Sequence, residues 1–196
     1  MLRTWRATLA RFAVRRAALC PSPARRRAAW WLRFGCAVTP AFGPPFAALV
    51  HLLRAHDDRW GALAAAEEGA RRFPGNPDAW MLLGEASLMA FRQREALVAY
   101  EQALALEERA DAAVAAGELY LRQNQPAEAA ARFARAYAAG GGPEALRANA
   151  QALFQAGDQA AADEALALWA TLVPDGLERL AGARAELRGG RRGRGA

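Results

Sequence analysis

Lysine is missing from this 196-residue chain, so its 26 basic residues are all arginines and its net charge of +6 is carried by guanidinium groups. Without lysine there is no Walker-type phosphate loop. The glycine run 140–142 leads into Pro143 and Glu144, a helix start lacking the required cation. Cysteine is nearly absent as well: Cys20 and Cys36 are too few for a disulfide framework or a zinc site, and they read as reduced, small apolar side chains of a cytosolic protein. The two histidines, His51 and His56, stand five apart, which puts them on different faces of a helix and excludes the i, i+4 metal pair. No serine or cysteine nucleophile has a convincing histidine partner. The chain is therefore expected to have no catalytic residues, no metal ligands and no cofactor, and not to be an enzyme.

Carboxylates are absent from residues 1–56, which hold ten arginines, whereas residues 57–186 hold twelve arginines against twenty carboxylates. The last ten residues add four arginines, giving segment charges of +10, −8 and +4 that sum to +6. An acidic body thus lies between basic ends, and the whole-chain charge says little about it. Residues 34–53 are uncharged, but Pro40, Pro44, Pro45, Gly35 and Gly43 interrupt them, so a turn between helices is expected in place of a membrane span. A secretory or organellar leader is the less favoured reading of the arginine-rich start, because no compact apolar run follows Arg3 to Arg16 directly, and a targeting segment stays an alternative for residues 1–42.

What the chain has in abundance is alanine, with few β-branched residues, and alanine loses no side-chain entropy in a helix. The residues recur. One unit carries Trp80, Leu83, Gly84, Ala96, Tyr100 and Ala103, the next Ala116, Gly117, Tyr120, Ala129, Phe133 and Ala136, and the next Ala150, Leu153, Ala162 and Leu166, followed by Pro174. Stepping backward reaches Ala62 with Gly69 and Pro74, then Ala28 with Leu32, Gly35 and Pro40. The five alanines 28, 62, 96, 129 and 162 are spaced by 34, 34, 33 and 33.

Trp-x-x-Leu-Gly at 80–84 followed by Ala-x-x-x-Tyr at 96–100 resembles the tetratricopeptide repeat signature. The resemblance covers about residues 43–176. It implies an all-α fold, a right-handed superhelical solenoid of antiparallel helix pairs with about four repeats and a C-terminal capping helix. The repeats would span 43–76, 77–109, 110–142 and 143–176, with the capping helix at 177–187 and a disordered Arg/Gly tail at 188–196. Departures are Ser87 where the family favours tyrosine, Phe91 in a turn without glycine, and Glu108 and Gly141 where proline is usual. Residues 1–42 form either a basic extension or a degenerate first repeat, because Arg15 and Arg16 stand where leucine and glycine belong.

Gly84, Gly117, Ala150 and the recurring alanine are expected to be small because helices A and B approach closely there. Trp80, Leu83, Tyr100, Phe133 and Leu166 are expected to fill the core between units. Pro74 and Pro174 stop helix B, Pro126 suits a first helical turn, and Gly157 with Asp158 marks an A to B turn.

The resemblance further implies a concave groove lined by helix A, in which partner peptides lie. Carried over slot by slot, its residues are His51, Arg54, Met81, Glu85, Leu88, Val114, Glu118, Leu121, Arg122, Arg147, Gln151 and Phe154. Glu85 and Glu118 occupy slots that basic and asparagine residues hold in carboxylate-clamping relatives. The implied partner is a protein segment with apolar anchors and some positive charge. The expected function is a non-catalytic, cytoplasmic protein-binding scaffold. The alternative is a peripheral membrane or nucleic-acid adaptor located by the basic ends. At the start of the chain, Leu2, Trp5, Leu9 and Phe12 form an apolar stripe flanked by Arg3, Arg6, Arg11, Arg15 and Arg16, expected to pack onto the first repeat while the arginines face water. Trp30 and Trp31, adjacent on a helix, point about 100° apart, so one at most anchors a core.

Overall fold

Alanine-rich segments separated by proline, glycine, aspartate and asparagine give a succession of short helices in the computed structural model, which describes residues 2–19, 25–39 and 41–189. Cys20, Pro40 and residues 190–196, most of the expected tail, lie outside the described residues. The described residues form eleven helices and no strand, grouped in two compact units, Met1–Leu106 and Glu107–Ala196.

The first unit contains α1 (Leu2–Ala18), α2 (Arg25–Val38), α3 (Pro44–Ala55), α4 (Arg59–Arg72), α5 (Pro77–Met89) and α6 (Gln93–Leu106). Each helix packs on the next, and α3 also touches α1 and α5. The second contains α7 (Ala110–Arg122), α8 (Pro126–Ala138), α9 (Gly142–Ala156), α10 (Gln159–Leu172) and α11 (Gly176–Gly189), again packed in succession. Proline opens α3, α5 and α8, where its missing N–H has no intrahelical partner to lose. Asp58, Asn76 and Asp158 cap α4, α5 and α10 by accepting from Gly61, Ala79 and Ala161 amides. Pro74 and Pro174 follow the ends of α4 and α10.

The turns inside α3–α4, α5–α6, α7–α8 and α9–α10 are built alike. Asp57, Phe91, Asn124 and Gly157 all have positive φ, at 58°, 61°, 58° and 97°. The next amide in each case, of Asp58, Arg92, Gln125 and Asp158, donates to a carbonyl five residues back at 2.8 to 3.0 Å. Phenylalanine is the misfit among these four, since a left-handed backbone crowds its Cβ against the following carbonyl. The ring is 76% exposed and lies 5.0 Å from the Arg59 guanidinium. Relief of about 1 kcal/mol of backbone strain, less about 0.5 kcal/mol for an exposed cation–π contact, means Phe91→Asn should raise stability by about 0.5 kcal/mol in urea unfolding.

Within the helix pairs the recurring alanines are buried: Ala28, Ala62 and Ala96 in the first unit, Ala129 and Ala162 in the second. Tyr100, Phe133 and Leu166 are buried as expected. The small helix-A residues have a different cause from close backbones. A Cβ on Gly84 would fall 2.6 Å from the Tyr100 ring, and one on Gly117 would fall 2.8 Å from the Phe133 ring. At the equivalent positions, sixteen residues apart in each pair, stand Ala150 with Leu166 and Val50 with Ala66, and all four are buried. Volume is thus exchanged across each pair.

Two expected core residues are only half-buried. Leu82, not Leu83, is the buried leucine of α5, and Trp80 turns its indole N–H to the Pro74 carbonyl at 2.8 Å. The buried face of α1 is also shifted from the expected stripe. Ala10, Ala13 and Ala17 are buried and Leu9 is half-buried, while Trp5 and Phe12 are exposed, and the side chain of Leu2 lies outside the described residues. Small side chains let α1 approach its neighbours more closely than an aromatic stripe allows, which favours the alanine face.

Candidate functional site

Along helices α5, α7 and α9 the same three positions recur at i, i+4 and i+7, which align on one face. They are Met81, Glu85 and Leu88 on α5, Val114, Glu118 and Leu121 on α7, and Arg147, Gln151 and Phe154 on α9, in steps of 33 residues. His51 and Arg54 hold the last two of these positions on α3, and Arg122 follows Leu121.

In the first unit His51, Arg54 and Glu85 are exposed, and Met81 and Leu88 are half-buried. In the second unit Glu118, Arg122, Arg147 and Gln151 are exposed, and Val114, Leu121 and Phe154 are half-buried. The α5 and α7 faces thus share one design, a carboxylate flanked by two partly covered apolar side chains. Neither Glu85 nor Glu118 has an ion-pair partner among the described residues, so each carboxylate faces water. Val114 and Leu121 rest against the buried cluster around Ala129 and Phe133, which fixes their direction.

The α9 face is different because α11 is drawn over it. Arg147 pairs with Glu186 at 3.0 Å, and Phe154 lines a cleft of about 20 Å³ together with Arg184 and Leu187. That volume holds about one water. Arg184 also binds Asp163 of α10 at 2.8 Å. Arg147 and Phe154 therefore serve the docking of the last helix, leaving Gln151 exposed between them.

Other features were not singled out by sequence. Asn149 is buried and its Nδ2 donates to the Ala130 carbonyl at 2.7 Å, tying α9 to α8. A mainly apolar cleft of about 520 Å³ lies between α2, α3 and α4, with Phe46, Leu49, Leu53, Ala64 and Ala65 in its walls and the charged Arg33, Glu68 and Arg72 also lining it. The small residues Gly61, Ala64 and Ala65 on α4 were the available signal for it. Cys36 also borders this cleft; burial pushes its thiol up to about 12, with the nearby Arg72 charge opposing the shift, so it stays protonated at neutral pH. Among the described residues no three metal-binding side chains cluster, and His51 and His56 are exposed.

No protein-family model and no curated protein matches the sequence. Solved structures do match in fold. A MamA protein superposes with a TM-score of 0.65 at 16% identity, covering 92% of this chain and 94% of that one. The tetratricopeptide-repeat protein TTC0263 from Thermus thermophilus gives 0.55 at 19% identity, with 92% and 99% covered. YrrB, described as a tetratricopeptide-repeat protein with an unusual peptide-binding site, gives 0.62 at 19% identity over 79% and 82%. The helix-pair fold is that of the tetratricopeptide-repeat structures.

Proposed function

We propose that this tetratricopeptide-type protein is a non-catalytic, cytoplasmic scaffold whose helix-A faces bind a partner peptide or helix carrying apolar anchors and positive charge. The observation that carries this reading is the repeated face of α5 and α7, in which Glu85 and Glu118 stand between half-buried apolar side chains with no ion-pair partner among the described residues. Such a face suits an amphipathic segment: apolar anchors cover Met81 and Leu88 or Val114 and Leu121, and a basic side chain meets the carboxylate. Gln151 and Arg122 border the same face in the second unit. Arg147 and Phe154, held by α11, are given a supporting role, and His51 and Arg54 extend the row on α3. The fold shared with YrrB, a protein described as having a peptide-binding site, is compatible with this use.

The test is a fluorescence titration with a library of basic amphipathic peptides, repeated with Glu85→Lys and Glu118→Lys. Charge reversal at either position should weaken the best peptide about tenfold or more, and both together should abolish binding. Undiminished affinity in the double variant removes the helix-A faces from the function.

A further inference from the structure

Apart from the helix-A faces, exposed aromatic rings concentrate on the α1–α2 pair. Helical spacing places Trp5, Phe12 and Arg16 along one line of α1, with Arg11 and Arg15 on its flank. On α2 the exposed line carries Arg26, Trp30 and Arg33, with Arg27 on the other side. Trp5 is 63% and Trp30 58% exposed. Four rings form one ridge across the seam between the two helices: Phe12 meets Trp31 edge-on at 5.8 Å, Trp31 meets Trp30 at 4.8 Å, and Trp30 stacks on Phe34 at 5.9 Å, while Trp5 stands two turns before Phe12 on α1. Arg16 lies over the Phe12 ring at 5.3 Å.

Charge decides what can cover this ridge. Residues 1–56 contain ten arginines and no carboxylate, and among the described residues Arg11, Arg15, Arg26, Arg27 and Arg33 make no ion pair. A second copy laid face to face would bring like charges together around the rings, which opposes self-association. Nucleic acid would satisfy the charge, but bases bind by stacking on open ring faces. Here one face of Trp30 is taken by Phe34, and Phe12 and Trp31 meet edge to face. Tryptophan rings bordered by guanidinium groups suit the headgroup layer of an anionic bilayer, where an indole sits at the boundary between apolar and wet and arginine meets phosphate.

We propose that the α1–α2 face docks the protein on an anionic lipid bilayer, with Trp5, Phe12 and Trp30 in the headgroup layer and Arg11, Arg15, Arg26 and Arg33 on lipid phosphates. The −8 charge of residues 57–186 opposes adsorption through those residues and so favours the α1–α2 face over them. No helix among the described residues is long and apolar enough to cross a membrane, so this contact is peripheral.

The experiment is co-sedimentation of the full chain with vesicles of equal parts phosphatidylserine and phosphatidylcholine, against phosphatidylcholine alone, over a salt series. Binding is expected to the anionic vesicles only, falling as salt rises. Arg11→Gln, Arg15→Gln, Arg26→Gln and Arg33→Gln together should weaken it roughly 100-fold or more. Trp5→Ala with Trp30→Ala should weaken it about tenfold and remove the blue shift of tryptophan fluorescence on binding. Both sets alter exposed side chains, and an unchanged circular dichroism melt identifies the loss as a loss of contact. Replacing Arg191, Arg192 and Arg194 by glutamine should leave binding in place. The proposal is overturned by failure to bind anionic vesicles at low salt, or by undiminished binding in either α1–α2 variant. It is equally overturned by preferential binding of single-stranded or duplex nucleic acid through the same residues, or by a dimer that the tryptophan variant dissolves.

Discussion

Phe133→Ala is expected to lower the free energy of unfolding by about 4 kcal/mol, the central cost of emptying a buried phenylalanine site. The ring is 2% exposed and lies on Gly117, whose absent side chain makes the space it fills. The same geometry predicts a reversal. Gly117→Ala alone should destabilise by about 1 to 3 kcal/mol, because its new Cβ would press on a ring that cannot leave its site. In the Phe133→Ala background that clash is gone, and the better helix propensity of alanine should make Gly117→Ala stabilising by roughly 0.5 to 1 kcal/mol. A double-mutant cycle in urea reads the difference. Additive effects would show that ring and glycine do not share a space.

Phe46→Ala should cost about 3 to 5 kcal/mol in the first unit. Phe46 is 1% exposed and stacks on Phe42 at 5.4 Å, while Phe73 meets it nearly perpendicular at 5.9 Å. Arg72 lies over this cluster and donates to the Cys36 and Thr39 carbonyls at 2.5 and 3.3 Å, satisfying the C-terminal end of α2. Loss of the ring therefore loosens α2 and α4 together. Hydrogen exchange should accelerate across both helices, whereas Leu106→Ala on the exposed end of α6 should leave them protected. Equal protection of α2 in wild type and Phe46→Ala would separate Arg72 from the ring cluster.

Helix content and period were legible because both follow from local chemistry. Alanine spacing of 33 and 34, proline at helix starts and Gly157 at a turn each act within a few residues. The helix face of the proposed site was legible to a similar depth: spacing by four and seven puts Met81, Glu85 and Leu88 on one face of any helix containing them. That Arg147 and Phe154 are occupied by α11 was not legible, since a contact across 39 residues between Arg147 and Glu186 leaves no periodic trace. The cluster of Phe42, Phe46 and Phe73 and the Asn149 tie to α8 were missed for the same reason.

By itself the sequence determined an alanine-rich helix-pair repeat, its acidic body and its basic ends, because propensity, period and charge are properties of segments. Only tertiary structure decided which face of each segment was buried. Leu82 went inside where Leu83 was expected, Trp30 stayed out beside a half-buried Trp31, and α1 turned its alanines inward and its rings outward. Periodicity defines a helix face, but the neighbour's shape selects among the faces, and small side chains permit the closest approach. That selection left the rings and arginines of α1 and α2 at the surface.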